Sequence, residues 1–188
     1  ERSIKQVSYD GTNWVNVTPI EYSATTLIKE NSLECGYVPP SPTGNTKYIA
    51  HYSNGTIQSA TCDSTSSITE GEISLSNLVA VEIGDCVTVI GKKSFQDCST
   101  LSSVTIGNNV SAIGRMAFNS CTKITHLVFP SSVRSIGEYA FGYCTRLQDI
   151  TMLGSAPVLA AGGVFNNTNN CPIYVPCDKV NEYKNLNV

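Results

Sequence analysis

IGNNVSAIGRMAFNSC, from Ile106 to Cys121, is answered 23 residues later by FPSSVRSIGEYAFGYC, from Phe129 to Cys144. At the same interval before it stands IGDCVTVIGKKSFQDC, from Ile83 to Cys98. The shared letters stay in register. Val87, Val110 and Val133 hold one position, and Ile90-Gly91, Ile113-Gly114 and Ile136-Gly137 the next. Phe95, Phe118 and Phe141 follow, then Cys98, Cys121 and Cys144, then Leu101, Ile124 and Leu147. A fixed period in this range specifies a solenoid, in which each repeat buries its apolar side only against its neighbours.

Each repeat has a short strand with apolar ends: Val104-Thr105-Ile106, Leu127-Val128-Phe129 and Ile150-Thr151-Met152. A polar corner and the Val-x-x-Ile-Gly run come next, then an Ala-Phe-like turn that ends at Cys. The glycine after Ile serves either a corner with positive φ or a tight approach to the next coil. A degenerate first repeat begins near Leu75, where Leu78, Val81, Ile83 and Val87 match Leu101, Val104, Ile106 and Val110. After Leu153 the pattern decays toward Cys171-Pro172-Ile173-Tyr174-Val175-Pro176, which reads as a cap followed by a short helical tail around Lys179 to Lys184.

Ahead of the repeats, Lys47 to Tyr52 and Thr56 to Thr61 flank Ser53-Asn54-Gly55. Asn-Gly between two β-prone runs is a strong hairpin signal, because both turn residues need positive φ. A solenoid end exposes an unpaired edge and an open core, so this hairpin is the expected N-terminal cap. Pro39, Pro40, Pro42 and Gly44 form a stiff linker. Before it, the runs at 4–9 and 14–18 read as a further hairpin around Asp10-Gly11-Thr12-Asn13. That turn is similar to an Asp-box, one residue short, and an ordinary β-turn accounts for it. The expected organisation is a β-rich segment 1–38, a linker 39–45, a cap 46–74, repeats 75–170 and a C-terminal cap 171–188.

Eight cysteines suggest a disulfide framework. The repeat argues otherwise for Cys98, Cys121 and Cys144, which stack in one column with side chains pointing the same way. They are expected as buried free thiols acting as small hydrophobes. Cys62 and Cys86 flank the start of the repeats, and a bridge between them is expected. No Cys or His spacing fits a metal site, and no cofactor is implied. Net charge is −3 with 14% charged residues, which disfavours nucleic acid and anionic membrane as partners. No apolar run approaches the roughly 20 residues that span a bilayer. The chain opens at Glu1 without a basic-then-apolar leader and reads as a trimmed mature chain or a fragment, whose export signal, if any, is not shown.

The run Ile-x-x-x-Val-x-x-Ile-Gly-x-x-Ala-Phe-x-x-Cys, at Ile106 to Cys121 and, with Phe129 in first place, at Phe129 to Cys144, resembles the BspA-like leucine-rich repeat. The ending from Pro157 through Phe165 and Cys171 to Tyr183-Lys184 resembles the terminal repeat of the same family. The likeness covers roughly residues 75–184. It implies a leucine-rich-repeat solenoid, mostly β with short helical turns, behind a small β-hairpin cap and a β-rich N-terminal segment. It also implies a secreted or surface-anchored protein of a host-associated bacterium. Some members are adhesins that bind host matrix proteins or other microbes. The family shares no catalytic residues.

Chemistry, if present, belongs on the exposed positions between the inward residues. One expected column is Glu82, Thr105, Val128 and Thr151; a second is Ala80, Ser103, His126 and Asp149. The second stacks Ser, His and Asp on consecutive strands, in the order that nucleophilic catalysis requires. A flat sheet excludes no water, however, and no converging amides supply an oxyanion hole. A polar ladder on the solvent face explains the same residues. The expectation is therefore a non-enzymatic binding face made of Ser103, Thr105, His126, Val128, Asp149 and Thr151, with no catalytic residues. The expected partner is a host extracellular-matrix or microbial surface macromolecule. The alternatives are a carbohydrate-binding module, using aromatics such as Trp14, Tyr48, Tyr52, Tyr139 and Tyr143, or a structural spacer. Imperfect solenoid caps leave edges, so a monomer or weak dimer is expected.

Overall fold

The computed structural model describes residues 4–7, 44–161 and 163–184. The turn at 10–13, the run at 14–18 with Trp14, Cys35 and Pro39 to Pro42 lie outside them. Among the described residues thirteen strands build two walls. The first takes β2 (Thr46–Tyr52), β3 (Ile57–Thr61), β5 (Leu78–Ile83) and β7 (Ser103–Thr105) in the order β3-β2-β5-β7. It continues through β9 (His126–Phe129), β11 (Asp149–Met152), β13 (Ile173–Pro176) and β1 (Ile4–Val7). β7 lies beside β9 where the two groups meet. The second wall is all parallel: β4 (Ser67–Ile68), β6 (Val89–Ile90), β8 (Ala112–Ile113), β10 (Ser135–Ile136) and β12 (Val158–Leu159). Turns close the third side.

The 23-residue period becomes five columns of buried side chains inside this tube. Val87, Val110 and Val133 are buried, as are Ile90, Ile113 and Ile136, and Leu101, Ile124 and Leu147. The phenylalanines form a ladder. Phe95 and Phe118 stack at 4.8 Å between centroids, Phe118 and Phe141 at 5.2 Å, and Phe141 and Phe165 at 5.6 Å. These distances are close to the ~4.8 Å spacing of paired strands, so one ring per coil stacks without distorting the walls. Each pair adds about 1 kcal/mol beyond burial.

The glycine after Ile is there for close approach. A Cβ on Gly91 would lie 2.6 Å from the Ile68 carbonyl oxygen, on Gly114 2.6 Å from the Lys92 nitrogen, and on Gly137 2.5 Å from the Arg115 nitrogen. Each contact is with backbone of the preceding coil. None of the three glycines is among those with positive φ.

The expected short turns are single i to i−3 turns rather than longer helices. Ala117 N–H bonds to Gly114 C=O, Asn119 to Met116 and Cys121 to Phe118, all i to i−3. Each such turn is interrupted at both ends by a residue with positive φ. Lys93, Met116 and Tyr139 lie at 58°, 56° and 53°, and Asp97, Ser120 and Tyr143 at 61°, 62° and 59°. Left-handed residues cannot propagate a right-handed helix. Instead the N–H groups of Lys93, Phe95 and Asp97 reach the carbonyls of Arg115, Ala117 and Asn119 one coil on. Met116, Phe118 and Ser120 repeat this with Glu138, Ala140 and Gly142. The α-helix among the described residues is the tail α1 (Val180–Lys184), held by its Tyr183 hydroxyl on Gly154 C=O at 2.9 Å.

The repeat cysteines are buried free thiols, and each has a bond to make. Cys121 Sγ donates to Phe95 C=O at 3.2 Å and Cys144 Sγ to Phe118 C=O at 3.3 Å. Cys98 Sγ reaches Leu75 C=O at 3.5 Å. Burial pushes the Cys144 thiol up to about 12 and raises Cys121 as well. Cys62 and Cys86 are bridged, with Cα atoms 6.1 Å apart. The bridge closes a loop of 24 residues' separation, which constrains the unfolded chain by about 3 kcal/mol.

The hairpin forms the cap by pairing β2 antiparallel with β5, so the first repeat strand has no bare edge. Behind it, Lys47 is buried with its ammonium 2.7 Å from Asp63 and 2.8 Å from Glu72. Burial disfavours that charge, but the two carboxylates outweigh it and raise the Lys47 pKa. At the other end β1 pairs parallel with β13, Ile4 opposite Ile173. The N-terminal strand thus covers the C-terminal end of the wall, a pairing that its own residues do not announce.

Two outcomes are expected. Gly114→Ala forces backbone apart and should lower stability by about 1–3 kcal/mol, read as a lower urea midpoint at unchanged slope. Iodoacetamide at pH 8 should leave Cys98, Cys121 and Cys144 unlabelled in the native chain and label all three after denaturation. Intact-mass measurement distinguishes the two states, and rapid native labelling would contradict the buried column.

Candidate binding face

Strand pairing aligns the outward positions of the first wall into rows. Ile57, His51, Ala80 and Ser103 share one row across β3, β2, β5 and β7. His126 and Asp149 continue it on β9 and β11. Ser59, Ile49, Glu82 and Thr105 share the second, which Val128, Thr151 and Tyr174 continue. The alternation arises because Val81, Leu127, Phe129 and Ile150 turn into the core and leave their neighbours outside. Ser103 is exposed; Thr105, His126, Val128, Asp149 and Thr151 are half-buried by one another.

Two imidazole–carboxylate pairs stand on this face. His126 Nδ1 lies 2.5 Å from Asp149 Oδ2, directly across the β9–β11 pair. His51 Nε2 lies 2.8 Å from Glu82 Oε1, diagonally across β2 and β5. The Asp149 charge also reaches Tyr174, whose hydroxyl pKa is raised by burial first and by that carboxylate second. The structure thus joins His126 to Asp149 and sets Ser103 on the same row of an open sheet. Among the described residues no group of three His, Cys, Asp or Glu side chains is arranged to hold a metal. No described helix is long and apolar enough to cross a membrane.

The family model of the BspA type leucine rich repeat region matches residues 54–184 in 6 copies. The chain belongs to this family. No curated protein matches it. Among solved structures, it is similar to a leucine rich repeat protein of T. pallidum, with 20% identity and a TM-score of 0.41 over 57% of this chain and 58% of that one. It is also similar to a leucine rich cell surface protein of Faecalibacterium prausnitzii A2-165, with 20% identity and a TM-score of 0.34 over 72% and 51%. The chain therefore spans less than two thirds of either protein's length.

In this BspA-type solenoid the six positions read from the repeat fall on one wall, as repeat spacing requires. His51 and Glu82 extend that wall beyond them. Glu82 was legible as a repeat position, but His51 was not. It precedes the repeats, and only the antiparallel docking of the hairpin on β5 brings it into the row. A signal existed in the Asn54-Gly55 turn, which sets the β2–β3 register but not the β2–β5 one.

A double-mutant cycle on His126→Ala and Asp149→Ala should give a coupling of about 0.5–1 kcal/mol. Both single variants should remain folded by circular dichroism. A coupling indistinguishable from zero would mean that the pair is not formed in solution.

Proposed function

We propose that this chain is a non-enzymatic binding protein of a bacterial surface, recognising a host or microbial macromolecule through its first wall. The observation that carries this is the pair of outward rows on that wall, polar at most positions from His51 on β2 to Asp149 and Thr151 on β11. A solenoid binds extended partners by many modest contacts along such a surface. Ser103, Thr105, His126, Val128, Asp149 and Thr151 would supply its centre, with His51 and Glu82 at its N-terminal end. Membership in the BspA-type family supports a secreted or surface location. The Cys62–Cys86 bridge supports an oxidising compartment.

Contact is favoured over catalysis because the row lies on an open sheet. Water reaches Ser103 freely, and a nucleophile there would lack a sheltered oxyanion site. The histidine–carboxylate pairs serve the face instead as hydrogen-bonding groups held in place by their partners.

The test is a binding screen of the purified 188-residue chain against extracellular-matrix proteins, mucins and glycans. A Thr105→Lys, His126→Lys, Thr151→Lys triple variant serves as control. A protein or glycan hit lost in the variant is the expected result and places the contact on the wall. A hit retained in the variant moves it elsewhere. Silence across the array favours a spacer within a larger surface protein.

A further inference from the structure

We propose that β3 is a self-pairing edge, joining two copies of this chain antiparallel about Ser59. Among the described residues β3 has a strand on one side only, the β2 side. Its backbone is aimed for pairing on the other. Cys62 N–H bonds to Asn45 C=O, and Thr56 C=O accepts from Tyr52 N–H. The even-numbered residues of β3 therefore point their backbone groups at β2. By strand alternation Ile57, Ser59 and Thr61 point theirs outward.

Edge strands of soluble proteins are usually guarded by charge, proline, bulges or a covering segment. β3 reads Ile57-Gln58-Ser59-Ala60-Thr61, with no charge and no proline. The irregular register of this hairpin lies between Thr46 and Tyr48, on β2. Ile57 is 61% exposed, an uncommon state for a strand isoleucine. At the opposite end of the same wall β1 lies on β13 and is the last strand among the described residues.

A second copy satisfies this edge better than an arbitrary peptide because the strand is self-complementary. Rotation about Ser59 places Ile57 opposite Thr61 of the other copy and Ser59 opposite Ser59. No like charges meet. Three outward residues per strand give about six backbone hydrogen bonds across the seam. The contact is isologous, so it closes at two copies rather than growing into a filament. Five residues bury less than the roughly 1,200 Å² of a stable interface, so the dimer is weak. Its consequence is geometric. Ile57 and Ser59 end the two outward rows, and the seam would run the polar faces of both copies into one sheet.

Sedimentation equilibrium of the full chain from about 10 μM to 1 mM tests this, with an expected Kd of about 0.1–1 mM. Ser59→Pro removes an outward N–H, a change that edge strands tolerate. Ser59→Lys sets two ammonium groups against each other at the axis. Each variant should keep the native circular dichroism spectrum and weaken the dimer at least about tenfold. The Lys variant should also recover partly in high salt. Monomer at every concentration overturns the proposal, and so does a dimer that neither variant weakens. Should Ser59→Pro lose its fold, Ser59→Lys alone decides.

Discussion

Each coil of this protein must sit one strand spacing from the next, on all three sides at once. The phenylalanine ladder and the glycine column enforce that together. Phe95, Phe118 and Phe141 hold the coils together at 4.8 and 5.2 Å. Gly91, Gly114 and Gly137 remove the side chains that would hold them apart. Everything else follows from the resulting stack. The repeat strands pair parallel because successive coils repeat one path. Cys121 and Cys144 each reach the carbonyl of the Phe one coil back because that carbonyl recurs with the period. A ring of another size, or a methyl in the glycine column, would be felt along the whole axis because adjacent coils share each contact.

The parts legible in the sequence are those that recur. A position repeated at 23 residues must meet its equivalents, so the buried Val, Ile, Phe and Cys columns and the outward rows could be read before any coordinates. Cys62 and Cys86 stood out as a candidate bridge because they flank the start of the repeats, while spacing alone left the connectivity open. What occurs once was harder. The parallel docking of β1 on β13 joins the two extremes of the chain, and nothing in Ile4 to Val7 distinguishes that partner from a nearby hairpin strand. The backbone detail of the turns was hidden for another reason. Ala-Phe-x-x-Cys reads as helical because its residues tolerate a helix. The sign of φ at Lys93 and Met116 is set by hydrogen bonds to the next coil, and no side chain there encodes it.

The face was legible as rows and not as pairs. Repeat arithmetic puts His126 beside Asp149 and Ser103 on the same line, and the structure joins the first two. Burial differs from the simple expectation of an exposed surface. Of the six residues only Ser103 is exposed, since neighbouring side chains on flat parallel strands shade each other. A partner would therefore meet side-chain tips whose orientations are already restricted. That lowers the ordering cost of each contact and suits recognition by many weak contacts.

The repeat cysteines carry a consequence for how such chains change length. Each thiol is satisfied by a carbonyl of the coil before it and by no covalent partner. Among the described residues the one bridge lies at the cap, outside the repeating column. A whole coil can therefore be duplicated or deleted without orphaning a sulfur or rewiring a crosslink. The ends stay clipped while the middle behaves as interchangeable cassettes, and the reach of the molecule becomes a quantity that gene rearrangement can adjust in steps of one strand spacing.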